Sequence, residues 1–175
     1  SQDEQVDAVE VVIEEECLKI LALHQPVATD LRRITTVLKI NVELERMADL
    51  ACNIAERAVS MHRYPSFPTP VRLTEMVRDS TRMVRMVLDA FVNSDVELAK
   101  QVILTDDSID ENNRLIIVDL IQTMSEEPAY IDAALHCFSA SRHIERIADL
   151  ATNIAEDVIY MVEAKVVKHH PEELK

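Results

Sequence analysis

The sequence contains no glycine in 175 residues. Glycine makes up about 7 % of ordinary proteins and supplies the positive-φ positions of tight turns and hairpins. Its absence excludes a fold built on strands. Tryptophan is also missing, and aromatics make up only 3 %. No apolar run approaches the roughly 18 residues needed to cross a bilayer, and no signal-peptide pattern is visible. A soluble, cytoplasmic protein is therefore the expectation. Cys17, Cys52 and Cys137 are far apart and form no CxxC pair, so they read as reduced thiols. There is no Glu-x-x-His, which argues against a ferritin-like di-iron oxidase. There is also no P-loop, nucleophile elbow or paired catalytic motif. Nothing points to an enzyme or to an organic cofactor. Basic residues are outnumbered, with 18 Lys and Arg against 32 Asp and Glu. A net charge of -14 disfavours nucleic acid and an anionic membrane surface as partners. It suits multivalent cations or basic protein surfaces.

What the chain does have is Ala, Leu, Ile, Val, Met, Glu and Arg, the makings of long amphipathic helices. Pro26 and Pro128 stand where helices would begin. Ser94 with Glu97 reads as a capping box. The stretch RYPSFPTP, with three prolines, cannot be helix interior. These marks predict five helices at about 3–24, 26–62, 70–92, 95–125 and 128–168. Helices one and two, and helices four and five, make antiparallel hairpins because their connections are short. The fold class is all-α, a tandem repeat of helical bundles. A first, two-helix unit spans 1–62, a proline-rich linker 63–69, and a three-helix unit 70–175. Leu73, Met76, Val77, Met83, Val84, Val87 and Phe91 are the expected packing face of helix three. Nothing plays that role for the first hairpin. Either a first helix is absent from this chain, or another molecule covers that unit.

The repeat is explicit. ERMADLACNIAE at 45–56 returns as ERIADLATNIAE at 145–156, identical at ten of twelve positions. Glu45 and Asp49, and likewise Glu145 and Asp149, fall on one stripe beside the apolar face. Asp3 and Asp7 on helix one, and Asp106 and Asp110 on helix four, repeat that i, i+4 spacing. Asp7 and Glu45 lie about 18 and 20 residues either side of the turn near residue 25, and Asp3 and Asp49 about 22 and 24. The same counting from the turn near 126–127 pairs Asp110 with Glu145 and Asp106 with Asp149. Residues equally distant from a tight turn sit at one height, so each unit can gather four carboxylates.

Like charges at i, i+4 cost about 0.2–0.5 kcal/mol per pair, and facing carboxylates cost more unless protonated or bound to cations. An oxygen-only set suits Mg²⁺, Ca²⁺, Mn²⁺ or iron and not zinc. The alternative is a solvated acidic face, with Arg46 pairing Asp49 and Arg146 pairing Asp149. Arg78, Arg82 and Arg85 form a basic stripe on helix three. It reads either as a phosphate or acidic-partner surface or as a face balanced by Glu75, Asp79 and Asp89. His24, His62, His136 and His143 are scattered, and His169 and His170 lie near the C-terminal end.

The doubled ERxADLAxNIAE closely resembles the signature of the PhoU family, accessory regulators of bacterial phosphate-specific transport. QPVATDLRRITTVLKINVELERMADLACNIAERA is similar to the third helix of that family's first repeat, IERIADLATNIAEDVIYMVEAKVVKHH to its C-terminal helix, and DDSID to its second-helix acids. The resemblance implies tandem three-helix bundles. It implies metal ions, sometimes clustered, at the acidic motif that maps onto Glu45–Asp49 and Glu145–Asp149. Leu50 and Leu150 stand where many relatives have histidine. Ala48, Ala148 and Ala164 stand where glycine is common. The resemblance further implies a cytoplasmic, homodimeric, non-enzymatic adaptor. Such an adaptor links the ATPase subunit of the phosphate ABC transporter to a phosphate sensor histidine kinase, and it reaches the membrane only through those partners. A metal-storage or metal-handling bundle is the alternative.

Overall fold

The computed structural model describes residues 2–166, with side chains from residue 4 onward. Asp3 as a ligand, and His169 and His170, lie outside the described side chains. The elements are α1 (Gln2–His24), α2 (Ala28–Met61), α3 (Val71–Asn93), α4 (Val96–Glu126), a short 3₁₀ turn (Pro128–Tyr130) and α5 (Ile131–Glu163). No strand occurs among the described residues.

The five expected helices are present, with shifted ends. Helix α2 begins after Val27, two residues past Pro26. Pro128 opens the 3₁₀ turn and not α5 itself. Ser94 is not a helix N-cap. It is the left-handed C-cap of α3, and Asp95 caps α4 by accepting a hydrogen bond from the Leu98 N–H. The Asp95 N–H closes that corner on the Ala90 carbonyl at 2.8 Å, a Schellman-type bond that normally calls for glycine. Without glycine, the left-handed positions fall to Gln25, Ala28, Ser94 and Ala164.

The proline-rich segment is pinned. Phe67 is buried and meets the Tyr130 ring edge-on at 5.6 Å, while the Tyr130 hydroxyl donates to the Ser66 carbonyl at 3.1 Å. The linker is thus docked on the 3₁₀ turn that precedes α5.

The main core sits between α3, α4 and α5. Met76, Met83 and Val87 of α3, Val102, Ile109 and Ile116 of α4, and Ile154, Val158 and Ile159 of α5 are fully buried. Truncating one such methionine to alanine typically costs about 2–5 kcal/mol. Leu73, Val84 and Phe91 are half-buried against this core, as the helical spacing predicts. Val77 is not: it is 44 % exposed, because among the described residues α3 packs extensively on α4 and α5 alone.

Helix α2 runs antiparallel along α5 in the most extensive contact of the molecule. Lys39 pairs with Asp157 at 2.7 Å, and Arg32 donates to the Met161 carbonyl at 3.4 Å, so the N-terminal half of α2 lies beside the C-terminal half of α5. Helix α1 has α2 as its one extensive neighbour among the described residues. Valines 9, 11 and 12 and Leu18 on α1 remain exposed.

Because α5 ends on Ala164 with φ 56° and ψ 22°, the terminating residue holds a conformation that costs a β-carbon about 1 kcal/mol or more. Ala164→Gly should therefore stabilise the fold by about 1 kcal/mol and raise Tm by about 2–4 °C. Thermal and urea unfolding of the two proteins measure this directly.

Candidate functional site

The two signature copies meet where α2 crosses α5. Arg46, Asp49, Leu50 and Asn53 face Arg146, Asp149, Leu150 and Asn153 across a cleft of about 480 Å³. Each side supplies the same four residue types at positions one hundred apart, so the cleft is symmetric about an internal twofold. The leucines are its apolar part, and the charged and amide side chains are its polar part.

Acids from both hairpins act on one another along two seams flanking this cleft: Asp106, Asp110, Glu145 and Asp149 in the second unit, and Glu45, Asp49, Asp7 and Glu10 in the first. In the second seam Asp106 is half-buried, and its carboxyl is pushed up from 3.8 to about 7. Burial is the main cause, followed by the charges of Asp110, Asp149, Asp107 and Glu145. Glu145 is raised chiefly by burial, against the opposing pull of Arg142 at 2.6 Å. Asp149 is raised by burial and then by Asp110. Asp106, Asp110, Glu145 and Asp149 therefore share one electrostatic environment. Asp106 Oδ1, Glu145 Oε2 and Asn113 Oδ1 are buried without a hydrogen-bond partner.

In the first seam Glu45 is raised by partial burial, then by Asp49, Glu10 and Asp7, with Arg46 opposing. Asp7 and Asp49 are exposed, as are Asp110 and Asp149 in the second seam. The Asn41 amide donates to the Glu10 carbonyl at 2.8 Å, and this sets the register of α1 on α2 that brings Asp7 opposite Glu45. Glu10 belongs to this seam although the four-carboxylate reading omits it. It lies one turn from Asp7 on the same stripe, which is the signal that finds it.

The identical copies differ in burial. Ala151 is fully buried, whereas Ala51 is exposed. The cause is α3, which together with α4 and α2 encloses α5, while among the described residues α2 packs extensively on α1 and α5 alone. The expected arginine pairs also change partners. Arg46 approaches Glu43 at 3.6 Å, and Glu145 is taken by Arg142. Arg146 acts on Asp149 only at longer range, lowering its pKa against the other influences. Glu43 and Arg142 precede their signatures by two and three residues, where the repeat does not extend and gives no signal.

The donor chemistry of the seams fits a hard cation: oxygen ligands only, with unpaired buried carboxylate oxygens. The side chains do not form a closed coordination sphere. Among the described residues no three Asp, Glu, His or Cys side chains are grouped to hold one metal ion. The cysteines are free, with Cys17 and Cys137 buried. Burial raises the Cys137 thiol to about 11, far from a metal-ligating thiolate. No described helix is long and apolar enough to cross a membrane.

Two helical hairpins, each bearing the same signature and an acidic seam and packed antiparallel through those signatures, define a duplicated helical-bundle protein. Comparison with known proteins gives its family: the PhoU domain matches residues 1–58 and 73–158, and the chain belongs to the PhoU family. It is 40 % identical to the phosphate-specific transport system accessory protein PhoU homolog of Pseudomonas putida, over 95 % of this chain and 66 % of that protein. It is 34 % identical to the PhoU accessory protein of Escherichia coli K12, over 95 % of this chain and 69 % of that protein. The chain thus spans about two thirds of the length of the curated relatives it matches. The crystal structure of PhoU from Pseudomonas aeruginosa superimposes with a TM-score of 0.90 at 37 % identity, over 93 % of this chain and 78 % of that one. The phosphate transport regulatory protein PhoU from Streptococcus pneumoniae gives 0.88 at 25 % identity, over 95 % and 78 %.

The raised Asp106 carboxyl has a definite pH signature. Below about pH 4 both folded and unfolded chains carry its proton. Between pH 4 and 7 the unfolded chain loses the proton and the folded one keeps it, so stability falls as pH rises through that window. The seam is partly open to water, and screening limits the effect to about 1–2 kcal/mol. Asp106→Asn should be more stable than the parent at pH 7.5 in metal-free buffer and about equal at pH 4. Urea titrations at both pH values, each yielding a ΔG of unfolding, check this.

Proposed function

We propose that this chain regulates phosphate uptake and the phosphate response as a cytoplasmic, non-enzymatic adaptor. Its partners are the ATPase subunit of the phosphate ABC transporter and a phosphate sensor histidine kinase. The observation that carries this reading is the pair of signature helices packed on each other in a PhoU-type bundle, in a chain whose relatives are named as accessory proteins of phosphate-specific transport. A rigid helical body with long exposed faces suits an adaptor.

The acidic seams are the adaptor's cation sites in this reading. Asp106, Asp110, Glu145 and Asp149 would hold a hard cation (Mg²⁺, Ca²⁺, Mn²⁺ or iron) in the second unit. Glu45 and Asp49 with Asp7, Glu10 and Asp3 would do so in the first. A bound cation supplies positive charge that offsets the mutual repulsion of the seam. In this reading the register of the two hairpins holds the carboxylates of α1 and α2, and of α4 and α5, near one another, as the mutual effects of Asp7, Glu10 and Asp49 on Glu45 and of Asp110 and Asp149 on Asp106 support.

Co-purification tests the adaptor role. The ATPase or the kinase should be retained by this chain in a phosphate-dependent manner, and failure to retain either at high and low phosphate overturns it. The cation role has its own test. Glu145→Gln with Asp149→Asn, and separately Glu45→Gln with Asp49→Asn, should each lower the metal content measured by elemental analysis and raise the metal-free stability. If the parent takes up no metal after equilibration with these cations, the seams are solvated acidic faces.

A further inference from the structure

The contact between α2 and α5 has two ends, and they are not alike. Glu43, Leu50 and Arg57 recur every seven residues on α2, and His143, Leu150 and Asp157 do so on α5. Leu50 and Leu150 face each other across the central cleft. Counting outward from them along antiparallel helices sets Glu43 opposite Asp157 at one end and Arg57 opposite His143 at the other. Lys39 of α2 holding Asp157, and the Arg57 charge acting on His143, agree with that register. These positions follow a different stripe from Ala148 and Ala151, the side of α5 that α3 covers, and from their equivalents Ala48 and Ala51 on α2. The two ends therefore do not depend on what packs over those alanines.

Each end sets two like groups together. At the first, Glu43 and Asp157 are acids, and the chain supplies its own counterions. Lys39 Nζ lies 2.7 Å from Asp157, and Arg46 lies 3.6 Å from Glu43. At the second, Arg57 and His143 are bases, and the residue one hundred past Lys39 is Ser139, which carries no charge. The Ser139 hydroxyl lies 3.3 Å from His143 Nε2. When it donates there, the ring proton is on Nδ1. His143 Nδ1 and Arg57 Nε are both buried with no hydrogen-bond partner. Glu56 reaches Arg57 only through one Nη, at 3.3 Å. The charged groups that act on His143 are Arg57 and Arg146, both cations. Arg146 is exposed and, among the described residues, is held in no ion pair. A buried N–H without an acceptor is costly, and this end has two of them with no internal anion to answer either.

We propose that Arg57, His143 and Arg146 form a binding site for a compact oxyanion of the phosphate or sulfate class. Its oxygens accept from Arg57 Nε, His143 Nδ1 and the Arg146 guanidinium, as charge-assisted hydrogen bonds. The anion takes the place that Lys39, with the opposite charge, holds at the other end. Arg146 also lines the central cleft, which gives the anion its way in from water. Presenting the Nε takes a rotation of the Arg57 side chain, which is 33 % exposed and tied by that one contact to Glu56. The net charge of -14 does not prevent binding. At physiological ionic strength distant charges are screened beyond about 8 Å. The proposal goes beyond the adaptor reading, which assigns no anion site.

Titration with sodium phosphate in metal-free buffer, against sodium chloride at equal ionic strength, tests it. The melting temperature should rise with phosphate beyond its rise in chloride, as mass action requires of a ligand of the folded state. The Nε–H resonance of Arg57 should shift and saturate in ¹⁵N-edited spectra. Sulfate should act in the same way, and acetate at least tenfold more weakly. Arg57→Met removes one donor and should lower phosphate affinity at least tenfold. Ser139→Glu gives this end a carboxylate where the other end has Lys39. It should raise the melting temperature in chloride and lower phosphate affinity at least tenfold; if it does not fold, Arg57→Met decides alone. Equal effects of phosphate and chloride on the parent overturn the proposal. So does a folded Arg57→Met or Ser139→Glu protein that binds phosphate as the parent does, or saturable binding that leaves the Arg57 Nε–H unmoved. Phosphate binding that needs an added divalent cation and is lost in Asp149→Asn but kept in Arg57→Met would assign the anion to the seams, and overturns it as well.

Discussion

Helix α2 lies antiparallel along α5, tied by Lys39 to Asp157 toward one end and centred on the two signature stretches. This contact joins the two halves of the molecule. It turns a repeat in sequence into a symmetric cleft in space, and it sets both acidic seams beside that cleft. The signature suits the role because it interleaves small residues with branched ones. Ala148, Ala151 and Ala155 are fully buried and leave room for neighbouring helices, while Ile144 and Ile154 fill the space between them. Glu45, Asp106 and Glu145, at the margin of such a face, are partly desolvated, while Asp7, Asp49, Asp110 and Asp149 reach water. Burial leads the causes of each raised carboxyl along the seams.

Identical sequences in the two copies have unequal surroundings, and the difference follows from one helix. Helix α3 covers the second hairpin and buries Ala151 there. Among the described residues no helix plays that role for the first hairpin, and Ala51 is exposed. The main core and the unequal burial of the two signature copies both follow from where one amphipathic helix docks.

Much of this was legible in the sequence. Proline placement and the missing glycine predict five helices and no strands. Distance from the turns predicts the pairing of Asp106 and Asp110 with Asp149 and Glu145, because tight antiparallel hairpins preserve height. The helix ends were less legible. Ser94 and Asp95 both read as caps, and the left-handed turn that assigns Ser94 to α3 depends on how α3 meets α4. The arginine partners were not legible either. Side chains at i+3 and i−3 compete, and burial of Glu43 and Glu145 decides the outcome. Val77 followed the apolar stripe yet faces outward, since a helical period shows which residues share a face and not whether that face is covered.

Helix α1 differs from its counterpart α4 in one respect that bears on motion. It is held along α2, through the Asn41 bond and a narrow line of side chains, and the valines on its outer side touch water. Opening it breaks far fewer contacts than opening any helix of the α3–α5 core. Among the described residues its amides therefore sit in the least extensively packed helix, the kind of element that opens locally before a core does. The first acidic seam straddles the boundary of that element, so the distance between Asp7 and Glu45 is among the first to change when the protein breathes.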